Sequence, residues 1–118
     1  MLQPLPKLLK KAEKVVNTWI RKRDEGGKCI SCDNPGTQAG HYFPVGGHSA
    51  LRFDERNINL QCSGCNLYKH GNQAHYRIGL VEKIGEDQVI ELELIAKTQR
   101  IKKWTREELN QIIQKYKI

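Results

Sequence analysis

The 118-residue sequence contains no long apolar run, no internal repeat, no low-complexity tract and no linker long enough to separate two domains. The missing apolar run excludes a membrane-spanning helix, which needs about 18 residues or more. The missing linker favours one domain over residues 1–118. Aromatic residues make up only 7% of the chain and hydrophobic residues 38%, a composition typical of a small globular protein.

The amino terminus lacks the pattern of a secretory signal. It reads Met-Leu-Gln-Pro and continues into a lysine-rich amphipathic stretch. We therefore expect no membrane partner and a reducing compartment, the cytoplasm, in which disulfides are rare.

Four cysteines form two Cys-x-x-Cys pairs, Cys29 with Cys32 and Cys62 with Cys65. Such pairs can form disulfides or hold a metal, and a reducing compartment favours a zinc ion bound by four thiolates. A chain of this length has a small core, and a structural zinc can add on the order of 10 kcal/mol to its folding free energy. The sequence thus predicts a structural zinc site.

The segment between the two pairs, residues 33–61, is longer than the ~15–20 residues usual in a plain zinc ribbon. It contains two histidines, His41 and His48, in a glycine-rich stretch. Hydrolysis of a phosphodiester needs a base that deprotonates water and a cation that stabilises the developing charge. A histidine, with its pKa near neutrality, suits the first of these tasks.

Positive charge is concentrated at the two ends of the chain. Residues 1–28 have eight Lys/Arg and three acids, residues 97–118 have seven and two, and residues 29–96 have five and eight. Basic ends favour nucleic acid as a partner, because each neutralised phosphate releases counterions. The alternative is that these side chains only solvate exposed helix faces. The candidates for DNA contact in the first basic arm are Lys10, Lys11 and Lys14.

Apolar periodicity and capping residues predict four helices and a short strand. The first helix runs from about Leu5 to Asp24 and ends before Gly26-Gly27. Asn72 caps the second and Gly85 stops it, and Thr-Arg-Glu-Glu is a capping box for the last. The other expected elements are a strand at 58–61, helices over about 72–84 and 87–97, and a helix from Thr105.

The order of motifs resembles the zinc-bearing HNH (ββα-metal) nucleases: Cys-x-x-Cys, Gly40-His41, Asn57, then Cys-x-x-Cys followed at once by Asn66. A closer resemblance is to the phage recombination endonuclease family NinG, also called Rap. It is carried over about residues 29–85 by the segments AGHY, LRF, Asn57-Ile, QCSGCN, Gly71-Asn72 and YRIGL.

The resemblance implies an α+β fold: a small zinc-stapled ββα-metal core over residues 29–85, enclosed by a basic N-terminal helix (1–28) and by C-terminal helices (86–118). It implies a structure-specific DNA endonuclease that cuts branched recombination intermediates such as Holliday junctions and D-loops. The cofactor implied for that reaction is Mg²⁺ or Mn²⁺.

The same resemblance implies roles for single residues. His41 becomes the general base, Asn57 braces its loop by hydrogen bonds across the hairpin, and Asn66 is the first candidate ligand of the catalytic metal. Many HNH sites have a carboxylate immediately before the base, where this chain has Gly40.

The missing ligand is then Asp54, His48 or His70, and the sequence does not decide among them. Asp54 suits Mg²⁺ better by its chemistry and His48 suits the site better by its position. Arg52 is the cation expected to hold the scissile phosphate, because a guanidinium can bind two oxygens at once. Lys69 and His70 follow Asn66 closely enough to contact a phosphate.

Structural alternatives exist for these residues. His41 can be a buried, hydrogen-bonded histidine or a zinc ligand, and His48 can cap a turn. Asp54 can form a turn with Arg56. Lys69 and His70 can be solvent-exposed residues at the start of a helix with no role in binding.

A second function from another class is a non-catalytic, zinc-stapled DNA-binding module that assists recombination. The histidine-bearing insertion favours the enzyme, because a binding module needs no base. A homodimer formed through residues 85–118 would match the two-fold symmetry of a DNA junction.

Overall fold

The structure is a computed structural model that describes residues 2–69 and 72–118. It is a mixed α+β fold with one two-stranded sheet and four helices over these ranges. Its elements are α1 (Leu5–Arg23), β1 (Gln38–His41), β2 (Ile58–Gln61), α2 (Gln73–Ile84), α3 (Glu86–Thr98) and α4 (Arg106–Tyr116). Two 3₁₀ turns at Ser49–Leu51 and Glu55–Asn57 and one π turn at Gly64–Tyr68 connect them.

Helix α1 forms because its apolar residues recur every four positions. Leu8, Ala12, Val16 and Ile20 are all buried on one face. Basic residues fill the last turn, where they interact favourably with the helix dipole. The predicted first helix is confirmed, and it ends one residue earlier than expected.

The other predicted elements are also present, within one residue of their expected ends. Helix α4 begins with the predicted capping box: the Thr105 side chain accepts from the Glu108 N–H (3.2 Å), and the Glu108 carboxylate accepts from the Thr105 N–H (3.0 Å). Asn72 precedes α2 with a φ of 47°, in the left-handed region, and its side chain makes no capping hydrogen bond to a backbone N–H of that helix. No helix of the described residues is both long enough and apolar enough to cross a bilayer.

Strands β1 and β2 form an antiparallel hairpin in which Gln38 pairs with Gln61 and His41 pairs with Ile58. Side chains alternate between the two faces of a strand, so Ala39 and His41 share one face and Gln38 lies on the other. Ala39 packs against the apolar cluster of α1. The hairpin is therefore covered by α1 on the His41 face.

Two apolar clusters lie on either side of this hairpin. The α1 cluster joins α1, α4 and the hairpin, and the α2 cluster joins α2, α3 and the loop after β1. The buried α1 cluster comprises Leu8, Ala12, Val16, Ile20, Phe53, Ile58, Leu109, Ile113 and Tyr116. The buried α2 cluster comprises Tyr42, Leu51, Tyr76, Leu80, Val89, Leu92 and Ala96.

Candidate metal centre and candidate active site

The four cysteine Sγ atoms converge at one end of the hairpin and lie within 4.8 Å of one another. The cysteines are free thiols, and the Sγ atoms of Cys32 and Cys62 are 3.7 Å apart. Sulfurs arranged tetrahedrally around zinc at about 2.3 Å would be separated by about 3.8 Å. The donor set and its spacing therefore fit a metal such as zinc, as the sequence predicts.

Backbone N–H groups point at the sulfurs in both Cys-x-x-Cys turns. The Ser31 N–H donates to Cys29 Sγ and the Cys65 N–H donates to Cys62 Sγ, each at 3.4 Å. The Cys65 N–H is the main cause that lowers the pKa of the Cys62 thiol to about 7, whereas burial raises the pKa of Cys65. Donors of this kind stabilise the thiolate form that a metal requires.

Asn72 adds a side-chain donor to the same centre. Its Nδ2 lies 3.5 Å from Cys65 Sγ, and its Oδ1 lies 3.0 Å from His75 Nδ1. The predicted helix cap thus orients a cysteine, which holds the start of α2 against the metal centre.

His41 ends β1 and is partly buried on the α1 side of the hairpin. Its Nε2 lies 3.3 Å from the backbone carbonyl oxygen of Arg52. A carbonyl can only accept, so Nε2 carries the proton and the neutral ring has its lone pair on Nδ1. Burial is the main cause that lowers the pKa of His41, and the Arg52 carbonyl and the Glu13 carboxylate oppose it.

Arg52 connects His41 to α1. Its Nη1 is 2.5 Å from Glu13 Oε1, and its Nε is buried without a hydrogen-bond partner in the part of the chain that the structure describes. Sequence reasoning missed Glu13, because an acid in a basic amphipathic helix resembles an ordinary solvent-facing residue. Its one sequence signal is that Glu13 is the single acid among the basic residues of the first 23 positions.

Asn57 is fully buried and joins three backbone groups of the loop after β1. Its Oδ1 accepts from the Phe43 N–H at 2.8 Å. Its Nδ2 donates to the carbonyls of Phe43 (3.1 Å) and Leu51 (3.2 Å). These hydrogen bonds fix the loop that leaves His41 and returns to Arg52.

Comparison with known proteins relates these features to a family. The family model described as "Bacteriophage Lambda NinG protein" matches residues 1–118. The chain belongs to the NinG family.

Its curated relatives include proteins called ninG from several phages. Those of Escherichia phage 933W and Salmonella phage P22 are each 42% identical over 118 residues, and that of Escherichia phage lambda is 40% identical. Each alignment covers 98% of this chain and 56% or 57% of the relative. The chain therefore spans little more than half the length of the NinG proteins it matches. No solved structure matches it.

In this NinG-family chain, packing accounts for the glycine at position 40. The buried Gln61 side chain crosses the backbone at that point, and a Cβ at residue 40 would overlap Gln61 Oε1. Gln61 Nε2 is held by Ser31 Oγ at 3.0 Å, which ties the hairpin to the first cysteine pair. A carboxylate side chain at position 40 would therefore have to displace the Gln61 side chain.

Asp54 and His48, the alternative metal ligands, both have structural partners. Asp54 caps the 3₁₀ turn, and its two oxygens bind the Arg56 guanidinium at 3.1 and 2.9 Å. His48 Nδ1 lies 3.1 Å from the Pro44 carbonyl. Within residues 2–69 and 72–118, only the four cysteines form a group of three or more His, Cys, Asp or Glu side chains close enough to hold a metal. The geometry thus agrees with the turn alternatives for Asp54 and His48.

Asn66 lies in the π turn, and its Nδ2 donates to Gln38 Oε1 at 2.9 Å. Because Gln38 and His41 belong to opposite faces of β1, Asn66 approaches the hairpin from the side away from His41. The structure therefore does not gather these two predicted site residues on one face.

The remaining predicted DNA contacts are surface residues. Lys10, Lys11 and Lys14 are exposed on α1, and Lys69 is exposed after the π turn. His70, which the sequence offers both as a metal ligand and as a phosphate contact, lies outside the described residues.

Proposed function

We propose that this chain is a DNA endonuclease that hydrolyses one strand of a branched recombination intermediate, with His41 as the general base. The observation that carries the proposal is the hydrogen bond between His41 Nε2 and the Arg52 carbonyl. It fixes the proton on one nitrogen and leaves Nδ1 as a base. The names of the relatives state no activity, so the reaction is our inference.

His41 would take a proton from the attacking water through Nδ1. The lowered pKa of His41 keeps its ring neutral, and hence able to accept that proton, near neutral pH. Asn57 fixes the loop between His41 and Arg52, so the base stays in place when the substrate binds.

A bound Mg²⁺ or Mn²⁺ would stabilise the charge that develops on the phosphate and on the departing oxygen. The described residues offer no second cluster of carboxylates or histidines for such an ion. Magnesium commonly keeps several waters and uses few protein ligands together with substrate phosphates. Asn66 and Asp54 as its ligands stay predictions, and we derive no step through the ion.

The cysteine centre would have a structural role, because four thiolates leave a zinc ion no open position for a substrate. It would hold the π turn and the start of α2 against the hairpin. Zinc binding would then be coupled to folding of this region.

A second candidate function is the non-catalytic DNA-binding module. Two observations favour it. Residue 40 is a glycine and offers no carboxylate to a catalytic metal, and the Asp54 carboxylate is already paired with Arg56. Arg52 is also occupied by Glu13, so a phosphate would have to compete for its Nη1. The basic arms would serve either function, and pairing of two chains stays a prediction.

Replacing His41 distinguishes the two functions. His41→Ala should reduce single-turnover cutting of a four-way junction by at least ~10²-fold, the lower end of the contribution of a positioned base. The measurement uses excess protein with Mg²⁺ or Mn²⁺, and binding is measured separately in a metal that does not support cutting. His48→Ala is the matched control and should cost far less.

Equal cutting by the parent and by His41→Ala would remove the catalytic role of His41. Loss of bound zinc in His41→Ala would make His41 structural. If the parent binds branched DNA but cuts none with either metal, the binding-module function is favoured.

A further inference from the structure

A cavity of about 310 Å³ lies between the start of α1, the first 3₁₀ turn and the segment that leads into α4. Its polar lining includes three cations, Arg52, Lys102 and Lys103, and no carboxylate from the described residues. Its apolar lining includes Leu9 and Trp104. We call this cavity the Trp104 pocket.

We infer that the Trp104 pocket binds one nucleotide of an unpaired DNA strand, with the base against its apolar wall and the phosphate on its three cations. This inference rests on the proposed function and deepens it, because it assigns the single-stranded part of a branched substrate to a particular site.

Charge complementarity points to an anion. Arg52 and Lys102 are each paired with one carboxylate, of Glu13 and Glu108, outside the lining of the pocket. Lys103 forms no ion pair in the described ranges, and Arg52 Nε is a buried donor with no acceptor among the described residues. A phosphate oxygen is a strong acceptor for such a guanidinium donor.

The apolar wall points to a flat organic group attached to that anion. Trp104 is partly buried, and Leu9 packs against the same α1 cluster. Aromatic side chains next to cations are the usual means of binding single-stranded nucleic acid, because every base can stack. A cavity of this size admits a base from an unpaired strand, whereas a base in a duplex is already stacked on its neighbours and paired.

The pocket is held open by contacts that do not need a ligand. Trp104 Nε1 donates to the Ser49 carbonyl at 2.8 Å, and the Trp104 ring meets Phe53 edge to face at 5.0 Å. Lys102 is anchored by Glu108 at 2.7 Å and lies 4.9 Å from the centre of the Trp104 ring. Because these side chains are already held in place, less conformational entropy is lost when a ligand binds.

Arg52 connects the pocket to the candidate active site. Its guanidinium lines the pocket, and its carbonyl accepts the hydrogen bond from His41. A strand seated in the pocket would therefore pass close to His41. The scissile phosphate would lie next to an unpaired nucleotide, as it does at a branch point.

The test uses the fact that the chain has two tryptophans. A Trp19→Phe variant leaves Trp104 as the single fluorophore, and a Trp104→Phe variant leaves Trp19, which packs on Tyr116 outside the pocket. Each variant is titrated with a short oligothymidylate, a blunt duplex and thymidine monophosphate. We expect the oligothymidylate to quench Trp104 strongly, the blunt duplex to quench it little, and Trp19 to respond to neither.

Lys103→Gln provides a second measurement that does not depend on fluorescence. In the described ranges Lys103 takes part in no ion pair, so its loss should leave the fold intact. We expect about fivefold weaker binding of oligothymidylate at 0.1 M salt, and a log–log salt slope smaller by about 0.7. Lys117→Gln, which removes an exposed lysine beyond the end of α4, is the matched control and should change neither.

Three results would overturn the inference. They are an unresponsive Trp104 in a protein that binds branched DNA, equal behaviour of Lys103→Gln and the parent, and saturation by thymidine monophosphate as tight as by the oligothymidylate. The last would indicate a site for free nucleotides. Quenching of Trp104 by single strands in a protein that cuts no branched substrate would support the pocket and count against the proposed endonuclease.

Discussion

The α1 cluster and the cysteine centre lie at different parts of the same hairpin and are stabilised in different ways. On the α1 side, buried aliphatic and aromatic side chains from α1 and α4 cover Ile58. At the cysteine centre the neighbouring buried side chains include polar Ser31 and Gln61, which hydrogen-bond to each other. The first region is an apolar core, whereas the second places four thiols close enough together that they could hold a metal ion such as zinc.

Because of this difference, we expect single substitutions to destabilise the two regions to different extents. Apolar burial is spread over many residues, so one truncation costs a fraction of the total. A tetrahedral metal site depends on each ligand, so one lost thiolate removes most of its stabilisation.

Removal of a cysteine should have the largest effect. Cys62→Ser should abolish stoichiometric zinc binding and unfold the region around the hairpin, because the lost metal contributes on the order of 10 kcal/mol. Zinc analysis of the purified protein and its melting temperature measure this. Ser63→Ala, at the exposed neighbouring position, is the control. One bound zinc and an unchanged melting temperature in Cys62→Ser would show that the centre does not stabilise the fold.

Truncation in the α2 cluster should have a smaller effect that leaves the metal in place. Leu92 is completely buried, and Leu92→Ala should lower the free energy of unfolding by about 2–5 kcal/mol. Denaturant unfolding measures this change, and zinc content should stay that of the parent. Leu94→Ala, at a position 57% exposed, should change stability by less than about 0.5 kcal/mol. Loss of zinc in Leu92→Ala would show that the α2 cluster and the cysteine centre unfold as one unit.

Removing the positive charges on the exposed face of α1 tests whether the helix that covers the α1 cluster also contacts DNA. Replacing Lys10, Lys11 and Lys14 together with Gln should weaken binding to all DNA shapes. The salt dependence should flatten by roughly one log–log unit for each lost phosphate contact. Binding isotherms at several salt concentrations measure this, and curves identical to those of the parent would mean that these lysines only solvate the helix.

The smallest expected effect is a shift in one pKa. Glu13→Gln removes a carboxylate that raises the pKa of His41, so that pKa should fall further below its usual value. Titration of the His41 ring by NMR measures it, with Glu107→Gln on the exposed face of α4 as the control. If His41 is the base, the acid limb of the cutting rate should move to lower pH in Glu13→Gln. An unchanged His41 pKa would show that Glu13 does not act on the ring.

The sign of the stability effect follows from the same shift. The pKa of His41 is lower in the folded chain than the usual value near 6.5, so below about pH 6.5 the unfolded chain binds the proton first. The contribution of His41 to the free energy of unfolding is therefore fully present above that pH and is lost as the pH falls through the lowered pKa.

Much of the secondary structure could be predicted from the sequence, because its causes are local. Apolar spacing determined α1, the capping box determined the start of α4, and the residues at 58–61 determined β2. The spacing of the cysteines indicated that their four thiols would meet. The two 3₁₀ turns and the π turn were not predicted, because short turns carry weak sequence patterns.

The partners of the candidate site residues could not be predicted, because they come from distant parts of the chain. Glu13 and Arg52 are 39 positions apart, and their contact exists only because α1 crosses the hairpin beside the first 3₁₀ turn. Gly40 stands where many HNH nucleases have a carboxylate, and the side chain that packs against it comes from Gln61 on the neighbouring strand. The helices, the second strand and the cysteine tetrad follow from periodicity and spacing, which are properties of the sequence. The protonated nitrogen of His41, the partner of Arg52 and the face of the hairpin that each residue reaches depend on packing between elements, so they can be read only from the folded chain.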